Sequence, residues 1–125
     1  MNNYSIKFNV RAPRGLMKEN LSESVLQSAY YGDLEGLKIA VSKHPECVNF
    51  SDDFTGATAL HLSAGLGNYS CVKYLLSVPG IDLGLTDNEG KTAIHYAIRS
   101  GHNEIVVLIA DRVFPSRHIA ATLGL

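Results

Sequence analysis

The sequence lacks most of the features that announce a membrane protein, a nucleic-acid binder or an enzyme. No apolar run reaches the roughly 18 residues that a membrane span requires, so no membrane association is expected. Lysine plus arginine total 11 against 12 aspartates and glutamates, a net charge of -1, and no basic block interrupts the chain. Phosphate backbones need a concentrated positive face, so a nucleic-acid partner is not expected either. Only two cysteines occur, Cys47 and Cys71, with no C-x-x-C pair. They read as small core residues in a reducing, cytosol-like compartment. The opening Met1-Asn2-Asn3-Tyr4-Ser5 is polar, unlike a secretory leader. Glycine-rich phosphate loops, H-E-x-x-H helices and nucleophile elbows are all missing. A length of 125 residues fits one domain.

What is present is an internal repeat. Asp53 and Asp87, Gly56 and Gly90, Thr58 and Thr92, His61 and His95, and Gly67 and Gly101 are each 34 residues apart. Chance does not readily place five identities in one register, and such a period is the signature of a stacked repeat architecture. Each copy reads D-x-x-G-x-T-A-[LI]-H, followed by a small-residue helix and a second glycine. Thr58-Ala59-Leu60-His61 and Thr92-Ala93-Ile94-His95 resemble the T-P-L-H tetrapeptide of the ankyrin repeat, with alanine in place of proline both times. The resemblance covers about residues 22–114. It implies an all-α solenoid of stacked helix-turn-helix units joined by short β-turn loops.

Five segments follow. Residues 1–21 form an N-terminal arm, with a weak strand signal at Ser5–Val10. Residues 22–52 are a degenerate capping unit without the D-x-x-G-x-T-x-L-H opening, aligned to the next at an offset of 35 through Val25, Ala29 and Gly32. Its first helix is expected after Leu21, capped by Ser22 or Ser24. Its second should run from Leu34 to Ser42, with Leu34, Leu37, Ala40 and Val41 on one face and Pro45 as the stop. Residues 53–86 and 87–114 are the two good units. Their helices are expected at about 59–66, 70–77 and 93–100, and from about residue 103. Residues 115–125 are a C-terminal cap. The last helix, Glu104–Ala110, is apolar nearly all round, which demands a cover: either the tail His118–Leu123 or another molecule.

The chemical alternatives weaken on inspection. His61 and His95 sit one unit apart, roughly 10 Å for packed helices, too far to share a metal ion. In ankyrin proteins the Thr and His of this tetrapeptide brace the turn, and the Thr-x-x-His spacing here fits that. His44 and Cys47 lack a second ligand pair, and Pro45 places them in a loop. No motif supports a Cys–His nucleophile pair. No catalytic residue, cofactor or metal is expected.

The resemblance instead implies protein–protein recognition through the turn tips and the exposed side of each unit's first helix. Carried over residue by residue, the partner-binding positions are Tyr30 and Tyr31 in the degenerate unit and Phe54, Thr55, Ala57 and Leu66 in the second. In the third they are Asn88, Glu89, Lys91, Arg99 and Ser100. Tyrosine and arginine dominate many interfaces because they combine contact area with a polar handle. The alternative for the aromatics is structural, with Tyr30 under the arm and Phe54 folded onto its turn. The expected protein is a monomer or a weak homodimer through its C-terminal end. The rival functions are self-association through the last helix and an enzyme with an unrecognised site.

Overall fold

The computed structural model describes residues 17–113. Six α-helices occur among them: α1 (Met17–Tyr31), α2 (Leu34–Lys43), α3 (Ala59–Leu66), α4 (Tyr69–Leu76), α5 (Ala93–Ser100) and α6 (Asn103–Val113). A single 3-10 turn, Pro45–Cys47, follows α2. The helices pair as α1–α2, α3–α4 and α5–α6. The first helices stack as α1–α3–α5 and the second as α2–α4–α6, giving two rows. The fold is the expected all-α repeat stack. The strand signal at Ser5–Val10 and the cap at 115–125 lie outside the described residues.

Local chemistry explains the helix ends. Gly67 and Gly101 end α3 and α5 in the left-handed conformation, at φ 79° and 78°, where a side chain would strain the backbone. The Asp33 side chain caps α2 by accepting from the Gly36 N–H at 3.0 Å. The last turn of α2 stops at Lys43, one residue before the His44-Pro45 pair. The first helix departs from expectation: it begins at Met17, so Ser22 and Ser24 lie within it and do not cap it. Met17, Lys18, Glu19 and Leu21 are good helix formers, and neither proline nor glycine intervenes before Gly32. Its side of the arm boundary therefore moves back into residues 17–21.

The core runs along the two rows. Leu37, Leu60, Leu75 and Ile109 are fully buried, and Ala29, Ala59, Ala64, Ala93 and Ala97 let the first helices approach closely. Leu34, expected inward with Leu37, Ala40 and Val41, is only half-buried. Cys47 and Cys71 are buried and not disulfide-bonded, and burial pushes the Cys71 thiol above its ordinary pKa. Of α6, Ile105 and Ile109 are buried while Val107 and Val113 are exposed. Arg112 ties α6 to α4 through the Leu76 carbonyl.

Candidate protein-binding face

Each good unit opens with a turn seeded by one aspartate. In the third unit Asp87 accepts from the N–H groups of Glu89 at 2.9 Å and Lys91 at 2.8 Å. In the second unit the equivalent residue is Asp52, not Asp53. Asp52 accepts from Phe54 N–H at 2.7 Å and Thr55 N–H at 3.2 Å, and from the Thr55 hydroxyl. The backbone shows why. Asp52 N–H reaches the Ala57 carbonyl at 2.9 Å, while Asp87 N–H reaches that of Lys91 at the same distance. The second turn thus holds one more residue than the third, and the Asp53–Asp87 match at an offset of 34 is a coincidence of the consecutive pair Asp52-Asp53. Gly56 and Gly90 close the two turns with positive φ, 78° and 80°.

The Thr-x-x-His motif does the bracing that the ankyrin resemblance implied. Thr58 N–H donates to His61 Nδ1 at 3.1 Å, so that nitrogen is an acceptor and Nε2 carries the proton. Nε2 then donates to the Lys91 carbonyl of the next unit at 2.8 Å. Burial lowers the His61 pKa, and the Lys91 and Leu85 carbonyls and the Asp87 charge do not overcome it. His95 repeats the local half of this arrangement, with Thr92 N–H at 2.9 Å from Nδ1. Tyr96 completes the joint. Its hydroxyl donates to Asp87 Oδ2 at 2.5 Å, and its ring meets His61 edge-on at 4.8 Å. Burial, then the Asp87 carboxylate, raises the Tyr96 pKa. Hydrogen bonds from Tyr96, Lys91 and Glu89 outweigh the opposing effect of burial and hold Asp87 below the usual carboxylate range.

The sequence-derived contact positions do not share one environment. Tyr31, Phe54 and Leu66 are 50%, 56% and 48% exposed, and Tyr31 and Leu66 occupy the same position of consecutive units, at an offset of 35. Tyr30 is half-buried against the core and meets the Tyr31 ring edge-on at 4.8 Å. Ala57 is only 1% exposed and cannot reach a partner; it lies at the base of the turn, where its carbonyl closes the Asp52 ring. Thr55 and Asn88 are exposed but engaged. The Thr55 hydroxyl serves its own turn, and the Asn88 side-chain amide donates to the Phe54 carbonyl at 2.9 Å. Glu89, Lys91 and Arg99 line a notch of about 370 Å³ with Gly90, His95 and Ile98, at the end of the stack. Ser100 is exposed at the position of Leu66. Sequence reasoning missed Asn68 and Asn49. Asn68 donates to the Ala29 carbonyl at 2.8 Å and Asn49 to that of Gly80 at 2.8 Å, each joining successive units. Neither recurs in the repeat pattern.

Among the described residues no three His, Cys, Asp or Glu side chains gather as a metal site would need. His44 Nδ1 instead lies 3.2 Å from Glu46 Oε2. No helix of the described residues is long and apolar enough to cross a membrane.

The chain belongs to the ankyrin repeat family: the family model for ankyrin repeats matches residues 25–117 with three copies. It is 37% identical over 96 residues to a transient receptor potential cation channel subfamily A member 1 homolog of Caenorhabditis elegans, covering 74% of this chain and 8% of that protein. Over 75 residues it is 35% identical to inversin of Danio rerio, covering 59% and 7%. Over 105 residues it is 33% identical to the ARF GTPase-activating protein GIT1 of Homo sapiens, covering 84% and 14%. The chain therefore spans a small part of each of these relatives. Ankyrin repeats are generally protein–protein interaction modules and typically non-catalytic.

Proposed function

We propose that this chain is a non-catalytic recognition module that seats a partner protein on its concave face, as an adaptor, regulator or inhibitor. The observation that carries the reading is the pair Tyr31 and Leu66. Two consecutive units expose a large apolar side chain at one position, beside Phe54 at a turn tip. The surface is preorganised, because the turns are locked by Asp52, Asp87 and the bridge from His61 to Lys91. A rigid face loses little entropy on association. With so few units the interface is of standard size at most, about 800 Å² per partner. The names of the relatives point the same way. They span a cation channel, a kinase and a GTPase-activating protein, so the shared ankyrin segment is common to proteins of very different activity. Two buried cysteines without a disulfide fit a reducing, cytoplasmic setting.

The test is a pull-down from native lysate with wild type and a Tyr31→Ala, Phe54→Ala, Leu66→Ala triple variant, matched by helical circular dichroism. Capture by wild type and loss in the variant supports the concave face. Equal capture by both sinks it. Exposed Val107 and Val113 on α6 favour a second reading, self-association through the last helix; light scattering that shows a strict monomer would remove it.

A further inference from the structure

The notch of about 370 Å³ in the third unit lies between its turn and α5. Glu89 and Lys91 line it from the turn, and His95, Tyr96, Ile98 and Arg99 from the helix. Its volume falls in the range of ligand sites, about 300–1,000 Å³. Its charges are unequal. Lys91 and Arg99 bring two cations and Glu89 one carboxylate, and among the described residues none of the three forms an ion pair. Asp87 is close by, but its oxygens are spent. Oδ1 accepts from the Glu89 and Lys91 N–H groups, and Oδ2 from the Tyr96 hydroxyl.

Two of the open donors are held in place. Thr92 N–H reaches His95 Nδ1 at 2.9 Å, so Nε2 of the neutral ring carries the proton. In the second unit the matching Nε2–H of His61 is spent on the Lys91 carbonyl, whereas that of His95 meets no acceptor among the described residues. The Arg99 guanidinium lies over the Tyr96 ring, 5.9 Å from its centroid. Tyr96 is in turn tied to Asp87. Ile98 adds an apolar wall that is 57% exposed.

These features select among occupants. A cation would meet two like charges and one carboxylate. A purely apolar group would leave the His95 and Arg99 donors without acceptors. A carboxylate on an apolar stem satisfies both halves: its oxygens accept charge-assisted hydrogen bonds, and its stem covers Ile98.

We propose that this notch seats an aspartate or glutamate side chain of the partner protein, with the carboxylate on Arg99, Lys91 and the Nε2–H of His95 and an apolar stem on Ile98. The proposal rests on the recognition reading above and names the chemistry of the partner at the third unit.

The experiment titrates the full chain with isocaproate at fixed pH, followed in nitrogen-15 spectra, with isocaproamide as the neutral counterpart. Isocaproate is expected to move the amides of Lys91, His95 and Ile98 saturably. Those of Lys38 and Lys43, cations outside the notch, should stay in place. Isocaproamide should bind about fivefold more weakly, and so should isocaproate to an Arg99→Gln variant matched by circular dichroism. Equal binding of the acid and the amide, or no saturable shift in the notch, would overturn the proposal. So would an Arg99→Gln variant that binds the acid as wild type does. The Tyr31→Ala, Phe54→Ala, Leu66→Ala variant should keep the isocaproate shifts, which separates the two readings. A notch that ignores isocaproate sinks this subsite and leaves the pull-down result standing, whereas equal capture in the pull-down sinks the concave face and leaves the titration standing.

Discussion

Asn88 reaches back along the stack to donate its side-chain amide to the Phe54 carbonyl at 2.9 Å, and its own N–H donates to the Thr55 carbonyl at 2.8 Å. These two bonds lock the third turn onto the second, and Gly56 leaves the space in which Asn88 sits. A residue expected to face a partner is therefore also a joint of the fold.

This joint makes two similar glycine substitutions unequal. Gly90→Ala suffers only its positive φ of 80°, a cost of about 1–2 kcal/mol. Gly56→Ala suffers the same strain and in addition drives its Cβ to 2.5 Å from Asn88 Oδ1 and 2.9 Å from the Asn88 backbone nitrogen. Overpacking of that kind adds roughly 1–3 kcal/mol. Urea denaturation of both variants checks the difference, and equal losses would mean that the two turns are not locked together.

The two motif histidines should also differ. His61 is buried and joins its own turn to the next unit, so His61→Ala leaves the Lys91 carbonyl and Thr58 N–H without their partner and opens a cavity. A loss of about 3 kcal/mol is expected. His95 is exposed and, among the described residues, bonds only to Thr92, so His95→Ala should cost about 1 kcal/mol. A larger loss for His95 would contradict this ordering.

Acidification should weaken the fold through His61. Its folded pKa lies below the ordinary 6.5, so the unfolded chain binds the proton more readily than the folded one. The stability is complete above the unfolded value and is lost as pH falls from there toward the folded pKa. Asp87, held below its ordinary 3.8, acts in the same direction but only at lower pH. Urea midpoints measured between about pH 7.5 and 5 should fall in wild type and flatten in His61→Gln. A midpoint that rises on acidification in this window would show the sign to be wrong.

Among the described residues, Ser63 is a position where a polar deletion should help. Its hydroxyl is fully buried in α3 without a hydrogen-bond partner among the described residues, and the counterpart in α5 is Ala97. Removing an unsatisfied buried hydroxyl and gaining helix propensity should stabilise Ser63→Ala by about 1 kcal/mol. A thermal melt lower than that of wild type would reveal an unrecognised partner for Ser63.

The sequence by itself determined the family, the number of units and most helix limits. Ala59–Leu66 and Ala93–Ser100 are legible because Thr caps and terminal glycines are local signals that act within one turn of backbone. Tertiary structure alone decided the rest. Asp52 rather than Asp53 seeds the second turn, because the choice depends on which N–H reaches the Ala57 carbonyl. Ala57 is buried and Lys91 half-buried at one repeat position, because the second unit has a further described unit stacked upon it and the third does not. The contrast between His61 and His95 has the same origin. A period of 34 residues makes two units alike in sequence, but a stack makes its middle and its end physically different, since burial and the partner for Nε2 come from the neighbouring unit and not from the motif.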